Sequence, residues 1–230
     1  MALEPFRGQA LALLTRMWLM ALPHEAFVQY IGAQIKPNIY IELGVDEGNT
    51  FELIAPYVSR AIAVDIKIPE CLEDYENYEM STDEFFGDEW FKGEADLIFI
   101  DADHTYEGAK KDLKNALNIL SEDGVIIMHD TDPVSNFMAD NEKSCGDVYK
   151  VVDDIEEGLL KDLNVVTLPI GDPGLSMITK KKCTRTQRRS VAPPEDIDAA
   201  GKLKPKFYVP EAYNLSEYAE MKAKSPYKQY

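Results

Sequence analysis

The chain has 230 residues, 45% hydrophobic and 28% charged, the proportions of a soluble globular protein with one good-sized core and some extensions. Its net charge of −17 is unevenly spread: residues 1–179 hold 12 Lys and Arg against 35 Asp and Glu, whereas residues 180–230 hold 12 against 6. The acidic body argues against non-specific nucleic-acid binding, and three scattered cysteines (Cys71, Cys145, Cys183) with no CxxC argue against a zinc site or disulfide framework and for reduced thiols in a cytoplasmic protein.

Two helices are expected first, over residues 5–22 and 23–35, each with proline near its first turn, where a missing N–H costs little. The apolar run ALALLTRMWLMAL contains Arg16, is too short to span a bilayer, and lacks the basic start and cleavage site of a signal peptide. It reads as a lid or dimer face, or as plain packing onto the body. NIYIEL is then a strand, residues 50–58 a helix, and AIAVD (61–65) a second strand. An acidic stretch with a short strand near Tyr78 leads to DLIFID (96–101), a third long strand.

Tyr106, Ala109, Leu113, Ala116, Leu117 and Leu120 repeat at three and four, which predicts an amphipathic helix over 105–120. GVIIMHD (124–130) is a continuous apolar run, as suits a parallel strand covered on both faces. A helix over 148–160 and a hairpin of NVVTLP and GLSMITK about IGDPG complete the pattern. Strand–helix alternation ending in a hairpin predicts a doubly wound α/β sheet with an antiparallel end. The expected organisation is an N-terminal helical lid (1–35), a central domain (36–182) and a proline- and tyrosine-rich tail or arm (183–230). The basic run KKKCTRTQRR (180–189) reads as a solvated face or, less favourably, a nucleic-acid contact.

In an open parallel sheet, ligands bind beyond the carboxyl ends of the strands. Four successive strands end there in acids: Glu42 before Gly44 and Gly48, then Asp65, then Asp101-Ala-Asp103-His104, then His129-Asp130-Thr131-Asp132. A single such acid is most simply a cap or a solvated turn residue; four on one rim, with two of the chain's three histidines, point to a site. The ExGxxxG spacing lacks the third glycine of a dinucleotide loop, and Asp46 and Glu47 would repel a diphosphate. S-adenosylmethionine, which carries a sulfonium and no phosphate, fits better. Glycines let the backbone approach it, Glu42 can meet its cationic part directly or through water, and Asp65 can accept from both ribose hydroxyls. The competing readings are an NAD-dependent oxidoreductase, which shares the ribose acid, and a non-catalytic S-adenosylmethionine-binding protein.

Over residues 35–180 these motifs resemble the class I S-adenosylmethionine-dependent methyltransferases. YIELGVDEGNT is similar to the cofactor loop, AIAVDIK to the ribose-binding strand and STDEF (81–85) to the adenine-lining segment. The stretch from DLIFIDADHTYEG to GVIIMHD resembles the branch of macrocin O-methyltransferase-like enzymes, and also the catechol and caffeoyl-CoA O-methyltransferases. Those last enzymes have Asp-Ala-Asp-Lys, the first Asp binding a divalent metal and the lysine acting as base, and a later Asp-Asn supplying further ligands.

The resemblance implies a seven-stranded, mostly parallel Rossmann-like sheet. It implies cofactor contacts from Glu42, Gly44, Gly48, Asn49, Thr50, Asp65, Ile66, Ser81, Thr82, Asp83 and Asp101. It makes Asp101 and Asp130 ligands of Mg²⁺ or Mn²⁺, with Thr131 standing where asparagine is expected and Asp132 able to replace it; hard oxygen donors suit these ions. His104 takes the base position, and a histidine's ordinary pKa of about 6.5 suits that role. Beside this stand a metal-free variant with His104 or Asp101 as base, and a merely capping His104 at a helix start. His129 is expected to fix the loop or line the pocket. The implied activity is O-methylation of a small-molecule hydroxyl, on a sugar or aromatic metabolite, by a cytoplasmic enzyme able to form a homodimer.

Overall fold

The structure, a computed structural model, describes residues 23–184 apart from 88–89, 134, 140, 142–143 and 172. The helix expected over 5–22 and the tail beyond residue 184 lie outside the described residues. Helix α1 (His24–Ile35) leads to β1 (Ile39–Leu43), α2 (Asn49–Ile54) and β2 (Arg60–Asp65). Then come β3 (Glu76–Glu79), α3 (Thr82–Gly87), β4 (Ala95–Ile100), α4 (Tyr106–Ile119) and β5 (Leu120–His129). A short α5 (Asn136–Ala139), α6 (Tyr149–Glu156), β6 (Leu163–Leu168) and β7 (Leu175–Lys180) follow.

The seven strands form one sheet in the order β3-β2-β1-β4-β5-β7-β6. The first five pair in parallel, and β7 runs antiparallel between β5 and β6. This is a doubly wound, Rossmann-like sheet with an antiparallel end, as the resemblance implies. Both faces of the sheet are covered, which is why the strands read as unbroken apolar runs. Ile41, Leu43, Ile98 and Ile126 pack with Leu113 of α4 and Ile155 of α6 on one side. Tyr40, Phe99 and Ile127 pack with Val28 of α1 and Phe51 and Ile54 of α2 on the other. The chain leaves β1 in one direction and resumes at β4 in the other, so the switch point lies between Gly44 and Asp101.

Three boundaries differ from those read in the sequence. The helix expected over 50–58 stops at Ile54 and tightens into a 3₁₀ turn, Ala55–Tyr57, because Pro56 has no N–H to continue it. Leu120, expected as the last helical residue, instead pairs with Ala95, and the β4–β5 ladder is interrupted before Leu97 meets Val125. The helix expected over 148–160 ends at Glu156, where the chain turns through Gly158 at φ +76°. Among the described residues no helix is long and apolar enough to cross a membrane.

Candidate active site

At the switch point the β1 loop turns against the end of β4. Gly44 has φ +83°, and a Cβ there would fall 2.0 Å from the Asp101 carbonyl oxygen, so only glycine fits. Asp65 stitches this loop to β2: its Oδ2 accepts from the N–H groups of Val45 (2.7 Å) and Asp46 (3.2 Å), its Oδ1 from that of Lys67 (3.0 Å). Glu42 behaves differently from the expectation. Period two places it on the same face as Tyr40, 1% exposed, where it accepts the Tyr40 hydroxyl proton. Burial pushes its carboxyl well above the usual range, and it does not reach the cleft wall. Gly48, Asn49 and Thr50 begin α2, and they too lie off that wall.

The cleft encloses about 1440 Å³, more than the ~300–1,000 Å³ typical of a single small-molecule site, so donor and acceptor can occupy it together. Gly44, Asp65, Ile66, Ser81, Thr82 and Asp83 form one wall. Ile66 is 77% exposed, an apolar flank open to a flat ring. Ser81 starts α3 as a capping box: its hydroxyl accepts from the Glu84 N–H (3.2 Å), and Glu84 Oε2 accepts from the Ser81 N–H (2.9 Å).

The inner end holds a knot of acids and histidines. His104 Nε2 lies 3.1 Å from Asp130 Oδ2 and 3.7 Å from Asp101 Oδ1. His129 Nδ1 lies 3.3 Å from Asp101 Oδ1 and 3.4 Å from Asp130 Oδ1, and its Nε2 is 3.4 Å from the Gly171 carbonyl. Both nitrogens of His129 face oxygen. Burial opposes its charge, but Asp101 and Asp130 hold it up at about 9, so it is an imidazolium at neutral pH. Asp101 is half-buried, which opposes its charge, yet His129 and His104 keep it well below the usual carboxylate range. Burial instead raises Asp130 to about 6, assisted by the charge of Asp101. Asp130 also sits at φ +64°, a strained position for a non-glycine residue.

One ligand atom each from Asp101, His104 and Asp130 lie within 4.8 Å of one another, a group able to hold a metal ion. Asp132 is not part of it; its N–H donates to the Pro173 carbonyl at 2.7 Å. The Thr131 hydroxyl accepts from Ser176 Oγ at 2.9 Å, tying it to β7.

The third histidine, His24, also arrives here. Its ring packs against His129 with centroids 4.3 Å apart. Sequence reading missed it because it lies 105 residues from His129 in the chain and brings no motif of its own. Asp112, on the cleft wall from α4, is missed for another reason: mid-helix, it looks like an ordinary solvated acid.

The comparisons with known proteins agree with the fold. The family described as a methyltransferase domain matches residues 41–131, from β1 to the residue after Asp130. Over those residues the chain is similar to a methyltransferase domain. TomG, an O-methyltransferase from Streptomyces achromogenes involved in tomaymycin synthesis and solved with S-adenosylmethionine, is 13% identical, with 70% of this chain and 82% of that one covered at a TM-score of 0.54. An O-methyltransferase from Bacillus cereus in complex with S-adenosylhomocysteine is 17% identical, covering 75% and 89% at 0.52. The Podospora anserina methyltransferase PaMTH1, also bound to S-adenosylhomocysteine, is 17% identical, covering 68% and 77% at 0.52. No curated protein matches the sequence. The match of the methyltransferase domain begins inside β1 and ends one residue past Asp130, so it takes in every strand end that contributes to the cleft.

Proposed function

We propose that the methyltransferase domain transfers the methyl group of S-adenosylmethionine to a hydroxyl of a small molecule, a sugar or an aromatic metabolite, with help from Mg²⁺ or Mn²⁺. The observation that carries this reading is the Asp101–His104–Asp130 group, set at the end of the cleft that Gly44 and Asp65 also line. Methyl transfer from a sulfonium is an in-line displacement, so the chain's task is to hold the acceptor oxygen close to the methyl group and aligned with it.

Asp65 keeps lone pairs for the ribose hydroxyls beyond its backbone contacts. Gly44 lets the backbone approach the donor, and Ile66 flanks the adenine. Glu42 acts from below, through the packing of β1 and its loop rather than by contact. Asp101, kept ionised by His129, sets a negative charge beside the path of the cationic donor.

The two carboxylates and one imidazole fit a divalent ion, which Asp101 and Asp130 would hold with His104 completing the set. Such an ion, when bound, lowers the pKa of the acceptor hydroxyl. A metal-free reading is favoured by one observation: the His129 imidazolium already lies between the two carboxylates. In that case His104 Nε2 takes the acceptor proton and Asp130 stabilises the resulting charge.

Calorimetric titration with S-adenosylmethionine and with NAD, each with and without Mg²⁺, tests the reading. Micromolar binding of the methyl donor is expected; NAD binding with no response to S-adenosylmethionine would overturn it.

A further inference from the structure

His129 does more than line the pocket. Its Nε2 lies 3.4 Å from the Gly171 carbonyl, which can only accept, so Nε2 carries hydrogen and donates. That bond aims Nδ1 the other way, 3.3 Å from Asp101 Oδ1 and 3.4 Å from Asp130 Oδ1. A histidine that ligates a metal through one nitrogen almost always donates its other N–H to a carbonyl or carboxylate, which fixes the ring. Two further contacts hold this ring. His24 packs on it with centroids 4.3 Å apart. Gly171, at φ +62°, has no Cβ to keep its loop off His24, which a Cβ would meet at 2.6 Å.

The spacing suits a shared ion. Donors bound about 2.0–2.2 Å from an ion lie roughly 2.9–3.6 Å from their neighbours around it. His104 Nε2 approaches Asp130 Oδ2 at 3.1 Å and Asp101 Oδ1 at 3.7 Å, and His129 Nδ1 meets the same two carboxylates at the distances above. Donor type then decides which ion fits. Mg²⁺ takes oxygen and keeps its water, whereas imidazole nitrogen suits the later first-row ions. Two imidazoles beside two carboxylates form a set of the second kind.

We infer that His129 is a metal ligand in its own right, and that the resulting pair of imidazoles makes the centre prefer Co²⁺ or Zn²⁺ to Mg²⁺. The inference rests on the metal-assisted reading of the cleft. Without an ion, Nδ1 holds a proton between the two carboxylates; an ion that takes that place sends the proton to solvent.

The test is calorimetric titration of the full chain, stripped with EDTA, with CoCl₂ and with MgCl₂ in mildly alkaline buffer. Wild type is expected to bind Co²⁺ at least roughly 100-fold more tightly than Mg²⁺. His129→Asn puts an amide oxygen near the place of Nδ1. It is expected to lower Co²⁺ affinity at least roughly 10-fold and to leave Mg²⁺ affinity the same or higher; a melting curve checks that it folds. Electron spin echo spectroscopy of the Cu²⁺-loaded wild type counts the bound imidazoles and needs no variant; two are expected. A single bound imidazole, equal wild-type affinity for Co²⁺ and Mg²⁺, Co²⁺ binding untouched in His129→Asn, or an equal loss for both ions would overturn the inference. In each of those cases an ion still binds, and the metal-assisted reading survives. Binding of neither ion would remove both, while titration with S-adenosylmethionine alone still decides the donor site.

Discussion

Asp130 combines a left-handed backbone, a buried carboxyl and two histidine contacts. Its replacement by alanine should lower Mg²⁺-dependent turnover on the order of 100-fold. Turnover that is the same in EDTA as in Mg²⁺ would instead favour proton removal by His104 alone. Asp112 gives a prediction for stability. Burial raises its carboxyl to about 6 in the folded chain, against about 3.9 unfolded. A raised acid contributes stability below its unfolded pKa and loses that contribution as pH rises through the folded value. Asp112→Asn should therefore melt higher than wild type at pH 8, by up to ~3 kcal/mol of stability, and the advantage should vanish near pH 4. Chemical denaturation at the two pH values measures it; an advantage independent of pH would contradict it. His104, His129 and Asp130 are legible in the sequence because each follows an apolar strand run. The role of Glu42 is not, because strand ends expose alternate faces and the Tyr40 phenol claims its carboxylate. His24 is illegible for want of any local signal: it reaches His129 through the packing of its helix on the sheet and the close approach of the Gly171 loop, where a Cβ would meet His24.

At the scale of elements, α4 decides where His104 stands. Thr105 caps the helix, its hydroxyl accepting from the Gly108 N–H at 3.2 Å, while Asp103 Oδ1 accepts from the Thr105 N–H at 2.9 Å. The cap thus sits one residue beyond the imidazole it orients. Thr105→Ala should cost about 1 kcal/mol in stability and reduce turnover more than donor affinity, since the proposed ribose contact, Asp65, lies on β2. Parallel loss of turnover and affinity would show that the cap supports the whole cleft. The strands and long helices are readable from their periods, and the hairpin from its turn residues. The boundaries escape where one residue overrides the pattern, as Pro56 does after α2 and as Leu120 does by pairing with Ala95.

For the whole molecule, the acidic body has a local counterpart. Nine carboxylates and two lysines line the cleft, so its field attracts a cationic ligand. Raising NaCl from about 0.02 to 0.5 M should slow association of S-adenosylmethionine several-fold in stopped flow, because the screening length falls from tens of ångströms to a few. A salt-independent rate would mean that the acids are neutralised before the donor arrives. The fold class follows from strand–helix alternation, but which acids share the cleft depends on the crossing from β1 to β4, which no single segment encodes. Behind the reacting end, Gly146 leaves no room for a side chain: a Cβ there would fall 1.9 Å from the His104 carbonyl oxygen. Directed evolution toward new acceptors therefore has an uneven landscape. Met138 and Ser144, on the open wall, can be randomised freely, whereas the glycine two residues past Ser144 is a fixed hinge pin, and libraries that vary it should return dead clones.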